Sequence, residues 1–166
     1  MIMNQGDAFA FKAIDGNYKA IICTSVYKES SPHTYRFAAL TYSKPEVPSI
    51  NDIIDSDFFG VANTKEGHFK YSNEALNKMW GIYTCMKPYY VGAYGFIIWR
   101  KDLQKFKSEL IYIGNLKILD NIDKNGNGGV NASSWPFLQS FFNDQIKVTL
   151  NGRGQKTFKV TSILSE

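Results

Sequence analysis

The stretch that most constrains the fold is residues 6–27, GDAFAFKAIDGNYKAIICTSVY. Two runs rich in strand-forming residues flank Asp15-Gly16-Asn17. An Asp-Gly pair between alternating segments indicates a β-hairpin, because the central residues of the tight turn need positive φ angles. The second run is apolar on both faces for most of its length. The sequence therefore predicts a hairpin whose second strand is covered on both sides.

Alternation along the two arms assigns each side chain to one of two faces. In the first arm the two sets are Phe9, Phe11 and Ala13, against Ala8, Ala10 and Lys12. In the second arm they are Tyr18, Ala20, Ile22, Thr24 and Val26, against Lys19, Ile21, Cys23, Ser25 and Tyr27. The hairpin is expected to be the central pair of a sheet.

The segment after the hairpin predicts a third strand and a short helix. Residues 35–42 alternate like a strand, which would complete a three-stranded antiparallel meander. Prolines end that strand, and Ser49 is placed to cap a helix at about 50–55, with Asp52 at its third position. Residues 58–61 then read as another extended segment.

The rest of the chain predicts a mixture of strands and helices. Residues 63–81 could form a hairpin but favour a helix, and strands are predicted at 82–86 and 96–100. An amphipathic helix at 101–110 and a strand at 111–119 follow, and then a mobile Asn/Gly loop at 120–133. The chain ends with a helix that begins at Ser134 and ends at Phe142 or Ile146, and with a hairpin that turns at 151–154. In the amphipathic helix, Leu103, Phe106 and Leu110 share one face.

These elements predict an α+β fold. Its sheet is curved and mostly antiparallel, opens with a β-meander, and carries two to four short packed helices. At 166 residues and 44% apolar composition the chain can bury a substantial core. No repeat or long linker is visible, so residues 1–166 are expected to form a single domain.

Composition also bounds location and partners. No apolar run reaches the roughly 18 residues of a membrane span, and no signal peptide is visible, so a cytoplasmic protein is expected. Residues 1–60 carry five Lys/Arg and seven Asp/Glu, a net charge of −2, although the whole chain is +4. The positive excess, spread through the middle and end, is typical of a solvated surface, and nucleic acid is an unlikely partner.

Cysteines and histidines supply no clear reactive site. Cys23 and Cys85 lie in apolar runs, and their spacing matches neither a metal site nor a redox pair. Two buried thiols are the favoured interpretation, with a disulfide as the alternative. His33 and His68 lie in polar sequence without a second ligand at metal-binding spacing. A Cys-His nucleophile pair is the remaining alternative.

One motif resembles half of a calcium loop. Asp123, Asn125 and Asn127 supply oxygen ligands at alternate positions, but Ser134 occupies the twelfth position, where a Glu normally completes the site. A flexible turn is therefore expected. The sequence contains no nucleophile elbow, phosphate loop or dinucleotide fingerprint. It predicts no catalytic residue, metal or cofactor, and hence a protein that is not an enzyme.

Two groups of residues are candidates for partner binding. The first is the acidic cluster of Asp52, Asp55 and Asp57, for which a solvated helix face is the favoured interpretation, with a partner-binding patch and acid/base catalysis as alternatives.

The second group is a tyrosine-rich loop containing Tyr89, Tyr90 and Tyr94, loosened by neighbouring glycines. Tyrosine suits binding surfaces because it joins apolar area to a polar tip, but it also caps sheet edges.

Several short motifs occur in a familiar order: Gly6-Asp7-x-Phe9, the Asp15-Gly16 turn, a strand beginning at Tyr18, Pro48-Ser49 before an acidic isoleucine-rich turn, and Val91-Gly92 before an apolar strand. Over residues 5–115 this arrangement resembles the immunity-protein-26 family of bacterial polymorphic toxin systems. The resemblance implies a small cytoplasmic inhibitor that binds its cognate protein toxin and occludes it, without a reaction or cofactor.

Many toxins of such systems are nucleases with basic grooves, for which the acidic cluster would be the complementary surface. The overall charge of +4 departs from that pattern. The alternative is a sheet-based module that binds a ligand or nucleic acid through the tyrosine-rich loop and a basic aromatic strip, formed by residues 87–90 and 99–101.

Overall fold

The computed structural model describes residues 3–27, 33–61, 95–118, 129–131, 134–142, 146 and 155–164. Their strands are β1 (Asp7–Lys12), β2 (Tyr18–Tyr27), β3 (Thr34–Ala39), β4 (Asp57–Val61), β5 (Gly95–Trp99), β6 (Ile111–Asn115), β7 (Gly129–Asn131) and β8 (Gln155–Lys159). Their helices are α1 (Ile50–Ile54), α2 (Arg100–Phe106) and α3 (Trp135–Ser140), with 3₁₀ turns at Lys107–Glu109 and Val160–Ile163.

The larger sheet has the strand order β6-β1-β2-β3-β5-β7. Five of its strands are antiparallel to their neighbours, and β7 adds a parallel strand beside β5. β4 and β8 form a separate two-stranded antiparallel sheet. The predicted α+β class, the mostly antiparallel sheet, the opening meander and the short helices are confirmed.

The hairpin closes through a three-residue turn, Ile14-Asp15-Gly16, flanked by Ala13 and Asn17. The backbone N–H of Gly16 donates to the carbonyl of Ala13 at 3.1 Å, and the N–H of Ala13 donates to the carbonyl of Asn17 at 2.9 Å. Gly16 has a φ of 83°, the positive value that the sequence predicted. A β-turn followed by a residue with positive φ is a common way to close a hairpin, after the two-residue turns.

Two hydrophobic cores lie on opposite faces of the large sheet. The first core contains Phe9, Phe11, Ile21, Cys23 and Phe37, with residues from α2 and α3 packed over them. The second contains Ala8, Ala20, Ile22, Ile53 and Phe58, so α1 and β4 cover that face. β1 and β2 thus contribute to both cores, as their apolar faces predicted.

A β-bulge corrects the predicted alternation at the end of β2. The register between β2 and β3 shifts between Cys23 and Ser25, and beyond it Val26 stands opposite Tyr35. Val26 packs against the first core, although simple alternation placed it with Ile22 on the other face. One extra residue in a strand reverses the faces of everything that follows.

The later elements agree with the sequence in type and differ in extent. Leu103, Phe106 and Leu110 are all buried in the first core, as the amphipathic pattern predicted. The strand expected at 111–119 ends at Asn115, and residues 129–131, expected to be loop, form β7. Residues 129–131 form a strand because they pair with the backbone of β5, and the local sequence contains no signal for that pairing.

The chain end also shows a long-range pairing. β8 pairs in antiparallel register with β4, about one hundred positions earlier, and Val160 is fully buried in the second core. The predictions for 63–81, 82–86, the first arm of the last hairpin and its turn at 151–154 lie outside the described residues.

The Gly6-Asp7 step has a structural role. Gly6 has a φ of 89°, its N–H donates to the carbonyl of Cys23 at 2.8 Å, and its own carbonyl accepts from the N–H of Leu116 at 2.8 Å. The Asp7 carboxylate accepts from the N–H of Asn4 at 2.8 Å and from the side-chain amide of Asn115 at 2.9 Å. This step therefore joins the start of β1 to β2 and to the end of β6.

Gly6→Ala is expected to destabilise the protein by about 2–4 kcal/mol, since a Cβ there would collide with the carbonyl oxygen of Leu116 and the positive φ disfavours any side chain. Gly16→Ala is the matched control. Gly16 has a similar φ but open space around it, so the cost should be about 1 kcal/mol. Urea unfolding at pH 7 measures both, and equal losses would contradict the steric role of Gly6.

Candidate functional site

The acidic cluster begins with a residue that caps its own helix. The backbone N–H of Asp52 donates to the Ser49 hydroxyl at 3.2 Å, and the Asp52 carboxylate accepts from the Ser49 N–H at 2.8 Å. This is the predicted capping box. The hydrogen bond from the Ser49 backbone holds the pKa of Asp52 below its usual value. The Asp52 carboxylate therefore already accepts a hydrogen bond within the cap of helix α1.

The other members of the cluster differ in their surroundings. Asp55 is exposed at the end of α1. Asp57 opens β4 and stands directly opposite Lys159 of β8, an arrangement that favours cross-strand charge attraction. Among the described residues, Asp55 therefore offers the most accessible negative charge of the three predicted positions.

Tyr42 and Lys44 lie close to this cluster. The Tyr42 hydroxyl donates to the backbone carbonyl of Glu46 at 2.8 Å, and the Lys44 ammonium lies 5.8 Å from the centre of the Tyr42 ring. Burial raises the pKa of Tyr42, and the negative charges of Asp52 and Glu46 raise it further. Lys44 favours the ionised form of Asp52, so it partly neutralises the acidic surface.

Helix α1 borders the strand β6. A Cβ atom at Gly114 of β6 would stand 3.0 Å from the Cδ1 of Ile50 in α1, and Ile113 packs with Ile50 against the second core. In the described sheet β6 is an outer strand. The first residue of α1 therefore lies against the outer strand β6, whereas the backbone carbonyl of Asp57 in β4 accepts a hydrogen bond from the backbone N–H of Thr41.

The tyrosine-rich loop, with Tyr89, Tyr90 and Tyr94, lies outside the described residues. The described half of the basic aromatic strip, residues 99–101, is exposed at the start of α2. There the Lys101 ammonium lies 5.1 Å from the centre of the Trp99 ring, a cation–π contact.

Of the candidate reactive residues, the structure describes Cys23 and His33, and these two do not meet. Cys23 is a fully buried thiol, whereas His33 is exposed and uses its backbone carbonyl to accept from the Arg100 N–H at 3.0 Å. Cys85, His68 and the calcium-like loop lie outside the described residues. Within the described ranges, no three His, Cys, Asp or Glu side chains converge as metal ligands.

A surface groove, which sequence reasoning missed, lies at the turn end of the β1–β2 hairpin. It has a volume of about 430 Å³ and is lined by Lys12, Ala13, Tyr18, Ser108, Glu109, Ile111, Trp135 and Gln139. The hairpin, the 3₁₀ turn, the start of β6 and helix α3 each contribute to it. The lining residues come from three separate stretches of sequence, 12–18, 108–111 and 135–139, and only the fold brings these stretches together.

Helix α3 forms one wall of the groove. Ser134 begins the helix by accepting from the Phe137 N–H at 3.3 Å. The Trp135 ring lies 5.6 Å from the ring of Phe11 in an edge contact and 5.9 Å from that of Phe106. These aromatic contacts fix the orientation of Trp135.

Several exposed apolar residues belong to, or directly follow, the stretches that line this groove. Ile111 lines it and is 39% exposed, while Ile14 and Tyr112 directly follow lining residues and are 62% and 57% exposed. They are three of the five exposed large hydrophobic residues described, the others being Val47 and Trp99. Ile111 and Tyr112 are consecutive in β6 and therefore point to opposite faces, with Tyr112 on the face that also carries Trp135. Exposed apolar residues near one another are typical of contact surfaces.

The position of the turn is set by a partly buried ion pair. The Lys19 ammonium lies 2.8 Å from the Asp15 carboxylate and 2.6 Å from the Ser43 hydroxyl oxygen. The hydrogen bond from Lys19 holds the pKa of Asp15 below its usual value. Lys19 is almost completely buried, so the carboxylate and the hydroxyl offset the cost of removing its charge from water.

Comparison of the chain with models of known protein families, with curated protein sequences and with solved structures gives no significant match. The resemblance to the immunity-protein-26 family stays a prediction based on its short motifs. None of the helices in the described ranges has the length and apolar character needed to span a bilayer.

Asp15→Asn is expected to lower the free energy of unfolding by about 1–2 kcal/mol at pH 7, because Lys19 loses a charged partner. In the wild type, the ion pair stabilises the folded state fully above about pH 4, the usual pKa range of an aspartate. This stabilisation is lost as the pH falls through the lowered pKa of Asp15. The difference between wild type and variant should therefore shrink on acidification. Urea midpoints at several pH values measure it, with exposed Asp55→Asn as the control, and a difference independent of pH would contradict the pairing.

Proposed function

We propose that this chain is a non-catalytic binding protein that neutralises a cognate bacterial toxin in the cytoplasm by direct association. The single observation that carries the proposal from the structure is the exposure of three large apolar residues, Ile14, Ile111 and Tyr112, in or directly after stretches that line the groove. The motif order that resembles the immunity-protein-26 family supplies the class of partner.

The surface around the groove has the composition of a protein-binding patch. Aromatic and aliphatic side chains that become buried on contact dominate the energetics of many interfaces, whereas charges at the rim affect mainly selectivity and association rate. Tyr112 is held by its ring contact with Phe9, at 5.6 Å between centroids. Restraint before binding reduces the entropy that complex formation would otherwise cost.

The acidic cluster would act in the same proposal as an electrostatic guide. Ile50 of its helix lies against Gly114 of β6, and Ile111 at the start of the same strand lines the groove, although α1 and α3 cover opposite faces of the sheet. The cluster would therefore act through its longer-range attraction and not as part of the groove surface. A basic toxin surface approaching the groove would be attracted by Asp55 and its neighbours while the apolar residues make contact. Inhibition would then follow from steric occlusion of the toxin, with no bond made or broken.

The proposal predicts rescue of toxin-expressing cells. The partner to test is the C-terminal domain of a large secreted protein encoded in the neighbouring reading frame, if there is one. Co-expression with this chain should restore bacterial growth, and the two purified proteins should elute together in size-exclusion chromatography.

An inactive toxin variant serves as the control for toxicity, and a non-cognate toxin domain serves for specificity. Unrelieved growth arrest together with separate elution would contradict the proposal. If the chain instead bound single-stranded oligonucleotides with strong salt dependence, the alternative of a nucleic-acid-binding module would be supported, with exposed Trp99 and Lys101 as its first candidate residues.

Replacing the three aspartates by asparagine is expected to slow association with the toxin about three- to tenfold at low salt, because attraction between unlike surfaces raises the association rate. The effect should fade at about 0.5 M salt, where the Debye length is only a few ångströms. Stopped-flow kinetics measures it, and an unchanged rate at low salt would contradict the steering role.

Since Asp52 also completes the capping box of α1, Asp52→Asn alone changes both the helix cap and the charge, and it is measured separately. The double variant Asp55→Asn/Asp57→Asn, which keeps the capping box, should account for most of the change in rate. Urea midpoints of all variants show which of them alter the fold.

A further inference from the structure

The groove presents one positive and one negative charge to whatever occupies it. Lys12 and Glu109 both line it, and both are exposed. Neither side chain forms an ion pair or hydrogen bond with any described residue. An occupant therefore meets two opposite charges that the described part of the chain does not use. A polyanion would gain from Lys12 but be repelled by Glu109.

The other lining residues offer both apolar and hydrogen-bonding groups. Trp135 and Gln139 stand four positions apart on α3 and therefore share a helix face. The Gln139 amide nitrogen donates to the backbone carbonyl of Lys12 at 3.4 Å, which leaves its amide oxygen as an acceptor. The Ser108 hydroxyl can donate and accept, while Ile111 provides an apolar contact.

The surroundings favour an extended peptide over a compact polar ligand. Ile14 and Tyr112 directly follow the lining residues Ala13 and Ile111 and are exposed, and a neutral sugar inside the groove would leave them uncovered. A peptide can place an apolar side chain against Ile111 and Trp135 and use its backbone amides for Gln139 and Ser108. The groove volume of about 430 Å³ lies in the size range of small ligand sites, enough for a short segment and not for a folded element.

We propose that the groove is the contact site for an extended segment of the partner protein, which presents an acidic side chain to Lys12, a basic side chain to Glu109 and an apolar residue between them. This inference rests on the proposed function and names the chemistry of the segment that is bound. The exposed hydrophobic residues around the groove contact the flanking parts of the same partner.

Charge variants and peptides of defined charge test it. The peptides are blocked seven-residue sequences with a central leucine, carrying one aspartate and one lysine, two aspartates, two lysines, or no charge. Binding is measured by ¹⁵N–¹H NMR titration at low salt. Wild-type protein should bind the mixed-charge peptide at least about threefold more tightly than the other three, with shifts at Ser108, Gln139 and the Trp135 indole.

The charge variants should change the peptide preference in a defined direction. Lys12→Glu should prefer the two-lysine peptide and Glu109→Lys the two-aspartate peptide, whereas the double exchange should regain the preference for mixed charge. Lys101→Glu, an exposed position outside the groove, is the matched control and should behave as wild type. Because all three residues are exposed, urea midpoints should stay unchanged.

Equal affinity of the four peptides for every variant would overturn the inference, as would shifts confined to residues outside the groove. Binding of methyl glycosides without binding of any peptide would overturn it as well. Neutralisation of the toxin by the single-charge variants at wild-type affinity would refute the groove as the contact site while leaving the proposed function intact. Peptide binding in the predicted pattern without toxin neutralisation would refute the proposed function and keep the site.

Discussion

Burial of the β1–β2 hairpin from both sides is the constraint on which the described structure depends. Ala20 and Ile22 enter one core while Ile21 and Cys23 enter the other, and all four are completely buried. Each face must therefore be covered by other parts of the chain. α2 and α3 cover one face, and α1 with β4 covers the other. Hydrophobic burial on two faces makes the later elements interdependent.

The same hairpin sets the position of the groove. Lys12 ends β1, Ala13 follows it, and Tyr18 begins β2, so the turn end of the hairpin supplies part of the groove lining. Another part comes from α3, whose Trp135 reaches back to Phe11 in the first core. Trp135 contacts the core through Phe11 and also lines the groove, so it connects the packing of the sheet to the proposed contact site. The exposed side chains therefore rest on a well-packed support.

The motifs that suggest a protein family have structural roles in this chain. Gly6 is required where the backbone passes close to Leu116, Asp7 connects the N-terminal turn to Asn115, and Ser49 caps α1. These residues therefore report on the fold, whereas the proposed partner contact would involve surface residues between and after them. Asp52 illustrates the division, because the carboxylate that marks a candidate binding cluster is also the one that completes the capping box.

The sequence by itself determined the elements whose causes are local. The Asp15-Gly16 turn, the two-sided apolar pattern of β2, the Ser49 cap and the apolar face shared by Leu103, Phe106 and Leu110 each depend on residues a few positions apart, and each is confirmed.

Only the tertiary structure decided the pairing of β8 with β4, the inward turn of Val26 after the bulge, and the groove between Lys12, Glu109 and Trp135. Strand partners and cavities depend on contacts between distant segments, and a single extra residue in a strand reverses its faces. Since periodicity reports only on near neighbours along the chain, it could identify the hairpin of residues 6–27 but not the site that forms at its turn.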